Sequence, residues 1–244
     1  MTFAGSAFLA LWNDVDPARD AEYNVWHTHE HVPERVGVAG ILAGHRYQAR
    51  ERGERRYFTR YDLESLATLD GPAYADVVEN PTAWSRSMRP SLRNFLRQPC
   101  AVAARLGHGL GGGLLTFRFN EGAAPAPTNA AAAALQSLVG AAGITAILTG
   151  RAYAGAAFPL ANIAATASKT ADTNGVALVE GPDRPALEAA APRIAAVLHE
   201  AMRAEAIVWE GYDLAFVCTR SDLPDPSAKR QAPREDLRRQ WRSP

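Results

Sequence analysis

Hydrophobic and polar positions change their period several times along the chain, and each change marks an element. Ala7 to Trp12 is an apolar run ending in Asn13-Asp14-Val15-Asp16-Pro17, strand composition followed by helix-start chemistry. Asp14 or Asp16 can accept the free N–H groups of a following helix, and Pro17 suits its first position. That helix is predicted from Pro17 to Val32. Pro33 lacks an N–H and biases Val32 away from the α region, so a stop or kink is expected there, before Gly37 and Gly40 turn the chain. Residues 41–50 and 56–63 read as strands around the polar loop Glu51-Arg52-Gly53-Glu54-Arg55. In the second strand Tyr57, Thr59 and Tyr61 face one way, and Arg56, Phe58, Arg60 and Asp62 the other. Residues 64–78 read as a helix interrupted near Gly71-Pro72. Residues 81–96 carry Trp84, Met88, Leu92, Phe95 and Leu96 at helical spacing, and 100–106 is a fourth strand.

The order is β-α-β-β-α-β with one extra helix, a ferredoxin-like arrangement. His108-Gly109-Leu110-Gly111-Gly112-Gly113 follows. It lacks the Gly-Lys-Ser/Thr of a phosphate-binding loop and reads as a linker. Beyond it the pattern repeats: a strand at 114–119, an alanine-rich helix at 129–139 behind Thr128 as cap, and strands at 144–153 and 175–180. A long helix at 185–203 and a closing strand at 206–219, bulged near Gly211, complete it. Leu42-Ala43-Gly44-His45-Arg46-Tyr47 is echoed by Leu148-Thr149-Gly150-Arg151-Ala152-Tyr153. The pattern predicts a tandem duplication, with units at 1–107 and 113–220. Residues 221–244, proline-rich, charged and almost without aliphatics, are expected to form a mobile basic tail.

Charge changes the picture mainly by exclusion. Lys+Arg and Asp+Glu are equal at 26 each in 244 residues, so no global field draws in nucleic acid or an anionic membrane. The arginines between 46 and 60 are interleaved with Glu51, Glu54 and Asp62 and read as a solvated hairpin face. The start of the chain lacks a basic region and a small-residue cleavage site, and no uncharged apolar run reaches the roughly 18 residues of a membrane span. A cytoplasmic location is expected. Cys100 and Cys218 lie in apolar, strand-like surroundings and read as buried free thiols.

Candidate chemistry is concentrated in Glu22 to Arg35, which holds His27, His29 and His31 of the six histidines together with Trp26 and several carboxylates. Steps of three and four place Tyr23, His27, Glu30, His31 and Glu34 on one helix face, bordered by Trp26. His31 can exchange a proton near neutral pH. Glu30 diverges from it by about 100° and is better placed to reach Arg46 or Tyr57 of the sheet than to orient His31. A purely structural helix-end role for this face is the alternative. His27 and His31 are spaced to share a metal ion with Glu34 as a third ligand, yet no second cluster supplies ligands from another element. Tyr23, Tyr47, Tyr57, Tyr61, Trp12 and Trp26 either line an aromatic pocket or pack as core. The corresponding helix of the second half has no His, Glu or Trp, so one site per chain is expected.

Trp26 to Arg35, followed by Val38-Ala39-Gly40-Ile41 and Gly44-His45-Arg46-Tyr47, resembles the W-x-x-x-E-H-x-P-E…P-G-F…R-R-Y pattern of EthD-like proteins in the dimeric α/β-barrel superfamily. The resemblance covers residues 6–106, and the second half only by element order. Glu30 and His31 match the Glu-His of the motif, and Trp26 and Pro33 match its flanks; Ala39, Ile41 and His45 depart from it. It implies an α+β fold in which two antiparallel sheets form an α/β barrel with helices outside, here within one chain. Members include cofactor-free monooxygenases, polyketide cyclases, lactone isomerases, decarboxylase-like lyases and haem enzymes, so the fold alone names no reaction. The expectation is a cofactor-independent lyase, isomerase, cyclase or monooxygenase acting on a small apolar or aromatic molecule. His31, His27 and Glu30 are the expected catalytic residues. Trp26, Tyr23, His45, Arg46, Tyr47, Tyr57 and Tyr61 are the expected substrate-binding ones. No metal, cofactor, nucleic acid or membrane partner is expected; the tandem barrel needs no partner to close, and further dimerisation to a homodimer is left open. A non-catalytic ligand-binding barrel and a metal- or haem-dependent lyase or oxygenase are the alternatives.

Overall fold

The structure, a computed structural model, describes residues 3–50, 55–121, 129–153, 168–170 and 173–241. Its strands are β1 (Ala7–Val15), β2 (Ile41–Gln48), β3 (Tyr57–Leu63), β4 (Leu92–Gly107), β5 (Gly113–Glu121), β6 (Ala146–Ala152), β7 (Ser168–Thr170), β8 (Gly175–Gly181) and β9 (Ala204–Thr219). Eight of them hydrogen-bond in the order β1-β3-β2-β9-β5-β8-β6-β4, and β4 returns to β1, which closes an antiparallel barrel. The short β7 lies parallel to β4 at Phe95 to Arg97. Closure depends on the two longest strands. β4 pairs with β1 through residues 92–101 and with β6 through 100–107, while β9 pairs with β5 through 204–213 and with β2 through 213–219. No open edge then remains in the eight-stranded ring. Each half of the chain lays its four long strands in the order fourth, first, third, second.

Alternation along the strands separates an interior from an outer face. Phe8, Ala10, Trp12, Tyr47, Phe58, Leu114, Val176, Leu178 and Tyr212 fill the barrel. Among them lies a buried ion cluster. Arg60 bonds Asp62 at 2.8 Å and Glu180 at 2.7 Å, His45 Nε2 lies 3.2 Å from Asp62, and the Tyr47 hydroxyl donates to Glu180 at 3.4 Å. Burial alone would raise the Asp62 pKa, but Arg60 and the His45 hydrogen bond hold it below the usual carboxylate value.

The helices pack outside: α1 (Asp20–Trp26), α2 (Val32–Val36), α3 (Pro72–Glu79) and α4 (Ala83–Met88) over the first half, α5 (Asn129–Gln136) and α6 (Arg184–Met202) over the second. Among the described residues no helix is long and apolar enough to cross a membrane.

Three elements differ from the sequence reading. The helix expected over 81–96 ends at Met88, because Pro90 breaks it and Leu92 to Ala101 are drawn into the ladder with β1. The bulges of β9 fall near 206 and 215, and Gly211 pairs in register with Leu115. The segment expected as a mobile tail packs on the first half. Leu223 is buried, Arg230 reaches Glu34 Oε1 at 2.7 Å, the Arg234 backbone N–H bonds Glu30 Oε2 at 2.7 Å, and a short helix α7 (Glu235–Arg238) follows. Its arginines find buried carboxylates as partners, which composition alone does not register. The hairpin loop at 51–54 and the Thr128 cap lie outside the described residues.

Candidate active site

Between α1 and α2, residues His27 to His31 form a π-helical turn in which the Val32 N–H bonds the His27 carbonyl, five residues back. In a regular α-helix the Pro33 ring would meet the carbonyl four residues earlier. The wider turn makes room, and the helix continues to Val36 rather than stopping at Val32. Such single π turns concentrate at functional sites. Here the turn brings residues five apart into contact: Trp26 and His31 rings lie 4.5 Å apart between centroids. His31 is also 5.2 Å from His27, which stacks on Tyr23 at 5.1 Å. Trp26 Nε1 donates to Ser85 Oγ at 3.3 Å, and the Tyr23 hydroxyl to Asn13 Oδ1 at 3.1 Å, so the row is fixed at both ends.

This aromatic row forms one wall of a chamber between the first helix and the outer face of the sheet. Leu9, Leu11, Thr59 and Tyr61 form its floor, and Arg35, Tyr74, Arg89, Phe95 and Arg97 close its sides. About 80 Å³ is open to the centres of water molecules. One water needs roughly 10–15 Å³ on that measure, so the chamber takes several waters or one compact organic molecule.

Four polar atoms of this lining are buried with no hydrogen-bond partner among the described residues: Nδ1 of His27, Nδ1 of His31, the Tyr61 hydroxyl and the Thr59 hydroxyl. Buried polar groups in folded proteins are nearly always paired, so four orphans around one cavity mark a place for water or ligand. Burial, with the Arg46 and Arg35 charges, pushes His27 well below its ordinary pKa of 6.5; burial, then Arg35, His27 and Arg89, does the same to His31. Both imidazoles are therefore neutral at pH 7, each with a lone pair able to take a proton. Burial likewise pushes the Tyr23 phenol up to about 12, against the opposing Arg46 charge.

Of the residues singled out in the sequence, Tyr23, Trp26, His27, His31 and Tyr61 line the chamber. The other five do not. Glu30 is turned off the aromatic row, with Oε1 accepting from Thr82 Oγ1 at 2.6 Å and Oε2 from Arg234 N. His45 and Tyr47 sit on the interior face of β2, in the ion cluster, because side chains alternate along a strand. Arg46, on the outer face, donates to Thr28 Oγ1 at 2.7 Å and to the Asn24 side chain, and its guanidinium lies over the Tyr23 and Tyr57 rings. The Tyr57 hydroxyl donates to Asp20 Oδ1 at 2.5 Å and accepts from Asn24. Arg35, Arg89, Arg97, Thr59 and Asn13 were not anticipated. Thr59 shares the alternation of Tyr57 and Tyr61 and could have been found from it; Arg89 sits in a stretch whose spacing reads as core helix and carries no such signal.

A metal site does not fit this arrangement. Glu34, the third ligand the spacing suggests, has its oxygens engaged by Arg35 at 3.0 Å and Arg230 at 2.7 Å. Among the described residues no three His, Cys, Asp or Glu side chains converge.

No protein-family model matches the chain, and no curated protein sequence does. Solved structures do match it in shape. An anthrone oxidase-like protein superposes with a TM-score of 0.57 at 12% identity, over 93% of this chain and 95% of that one. The chain has the dimeric α/β-barrel fold. A monooxygenase candidate from Fusobacterium nucleatum subsp. nucleatum aligns with a TM-score of 0.53 at 10% identity, over 88% of this chain and 95% of that one. A variant of the chlorite dismutase of Candidatus Nitrospira defluvii aligns with a TM-score of 0.51 at 10% identity, over 87% and 93%. At such identities the likeness is one of fold.

Proposed function

We propose that this barrel is a cofactor-independent enzyme that removes a proton from a small aromatic or largely apolar molecule held under α1. One observation carries the reading: two neutral imidazoles, a buried His27 and a half-buried His31, stand side by side in an aromatic chamber, each with its Nδ1 buried and without a hydrogen-bond partner among the described residues. A neutral imidazole whose ring nitrogen is buried without a protein partner is a proton acceptor waiting for a donor. His31 is the base, flanked by Trp26; His27 shares the row and orients the ring. Tyr61 and Thr59 offer the hydroxyls that fix a polar group of the substrate. Glu30 acts at one remove, holding the π turn against α4 and the C-terminal segment, and Arg46 braces it from the sheet.

The fold neighbours favour oxygenation as the use of that proton transfer. With anthrone as substrate, His31 would take a proton from the methylene carbon, and the electron pair left behind would delocalise onto the ketone oxygen. Reaction of that anion with dioxygen gives anthraquinone and water, with dioxygen as the oxidant. The Trp26 and His27 rings packed against His31 do not favour a haem held by that histidine. The shared strand order of the two halves supports a tandem duplication of one ferredoxin-like unit, with the first copy EthD-like.

The test is dioxygen uptake and anthraquinone absorbance with purified protein and anthrone. Wild-type turnover with a loss of about 10²–10⁴-fold in His31→Ala is expected. Equal rates in the two proteins reject His31 as base, and saturable anthrone binding without oxygen uptake makes the chain a binding protein.

A further inference from the structure

We infer that the chamber is built for a ligand bearing an anionic oxygen next to an aromatic ring, a carboxylate or an ionised phenol or enol, and that Arg35 and Arg89 are the pair that binds it. The chemistry that follows binding rests on the proposed function; the recognition does not.

The charge count around the chamber is unbalanced. Arg35 and Arg89 are 5% and 8% exposed, and both line the cavity. Arg35 shares Glu34 with Arg230, which also reaches Asp76 at 3.3 Å. Arg89 donates to the Val78 carbonyl at 2.9 Å and, among the described residues, forms no ion pair. Arginine is almost never so deeply buried unless paired. Burial, then the neighbouring Arg35 charge, lowers the Arg89 pKa to about 10, although a guanidinium at that value is still fully charged at pH 7. Arg35 and Arg89 thus stand as permanent cations against one cavity that Arg97 also lines, and the carboxylate that meets Arg35, Glu34, is shared with Arg230. A guanidinium is a planar fork of donors matched to a carboxylate or similar oxyanion. The missing counter-ion is the ligand.

The arrangement also couples binding to chemistry. Arg35 and Arg89 are among the charges that keep His31 from holding a proton in the empty chamber. An anionic oxygen placed between them cancels that repulsion. His31 then becomes a stronger proton acceptor only when the ligand is seated, and an oxyanion formed by deprotonation stays on the two arginines.

Benzoate and its neutral isostere benzamide test this by tryptophan fluorescence titration of the full chain at neutral pH. Benzoate is expected to bind about tenfold or more tightly than benzamide, and rising ionic strength should weaken benzoate alone. Arg89→Gln should bring benzoate down to the benzamide level and leave benzamide unchanged, while Arg89→Lys keeps part of the preference. Equal affinity in the wild type, binding of neither probe, or a preference that survives in Arg89→Gln overturns the inference. The wild-type ratio and its salt dependence need no variant, so a misfolded Arg89→Gln leaves the answer intact. A benzoate preference without turnover of anthrone defeats the proposed reaction alone. Turnover of anthrone without a benzoate preference defeats this inference alone.

Discussion

Under α6, Leu187, Ala191, Ile194 and Leu198 close on Leu115, Phe117, Ala177 and Val179 in a continuous apolar cluster. Under α1, the same layer of the other half encloses a chamber with two neutral histidines, three arginines and four polar atoms that have no hydrogen-bond partner among the described residues. Each orphan costs about 1–3 kcal/mol when nothing occupies the space. The difference teaches how one barrel separates its tasks: a packed layer secures the fold, and the layer across the barrel can then hold groups that do not favour folding.

The largest effect should come from opening the packed layer. Leu198→Ala should cost about 2–5 kcal/mol in urea unfolding. A Tyr61→Phe control, which removes a hydroxyl that has no partner, should cost far less. Equal losses would break the comparison. Next comes the brace behind the chamber: Glu30→Gln weakens the bonds to Thr82 and Arg234 and should cost about 1–3 kcal/mol, with faster amide exchange along His27 to His31. Unchanged stability with lost turnover would instead make Glu30 a group that acts on substrate.

A smaller effect tests the chamber itself. His27 and His31 hold pKa values well below 6.5 in the folded protein, so as pH falls below 6.5 the unfolded chain takes up protons that the folded chain refuses. Their contribution is complete above about pH 6.5 and is lost as pH falls, at up to about 1.4 kcal/mol per pH unit for each histidine. Urea midpoints between pH 7 and 5.5 should show that slope, and His27→Gln/His31→Gln should flatten it. An unaltered slope would mean that the two imidazoles are not held neutral by the chamber.

Much of the fold could be read from local pattern. Seven of the eight barrel strands stand near their expected places, β4 starts eight residues earlier than its pattern suggests, and the crowding of histidines on one short segment pointed to the chamber wall. What pattern could not supply was long-range. Leu92, Phe95 and Leu96 satisfy a helical period as well as a strand, and only the partner β1 decides between them. His45 and Tyr47 belong to a motif-like stretch, yet strand alternation turns them into the barrel, where Arg60, Asp62 and Glu180 from two halves meet. Arg89 enters the site from beyond α4, with nothing in its neighbours to mark it. The π turn also escaped, because Pro33 alone predicts a stop and does not reveal that the turn before it has widened.

The path of β9 bears on how the molecule is made. The outer edge of β2 waits for Ala43 to Gln48 to be met by Asp213 to Thr219, so as the chain leaves the ribosome that edge stays open until those distant residues have been made. Pairings so distant along the chain form late and slowly. The residues that brace the chamber, Arg230 and Arg234, emerge later still. The first hundred residues therefore carry the chamber's histidines and most of its wall, but residues made long after them decide when that wall is held in place.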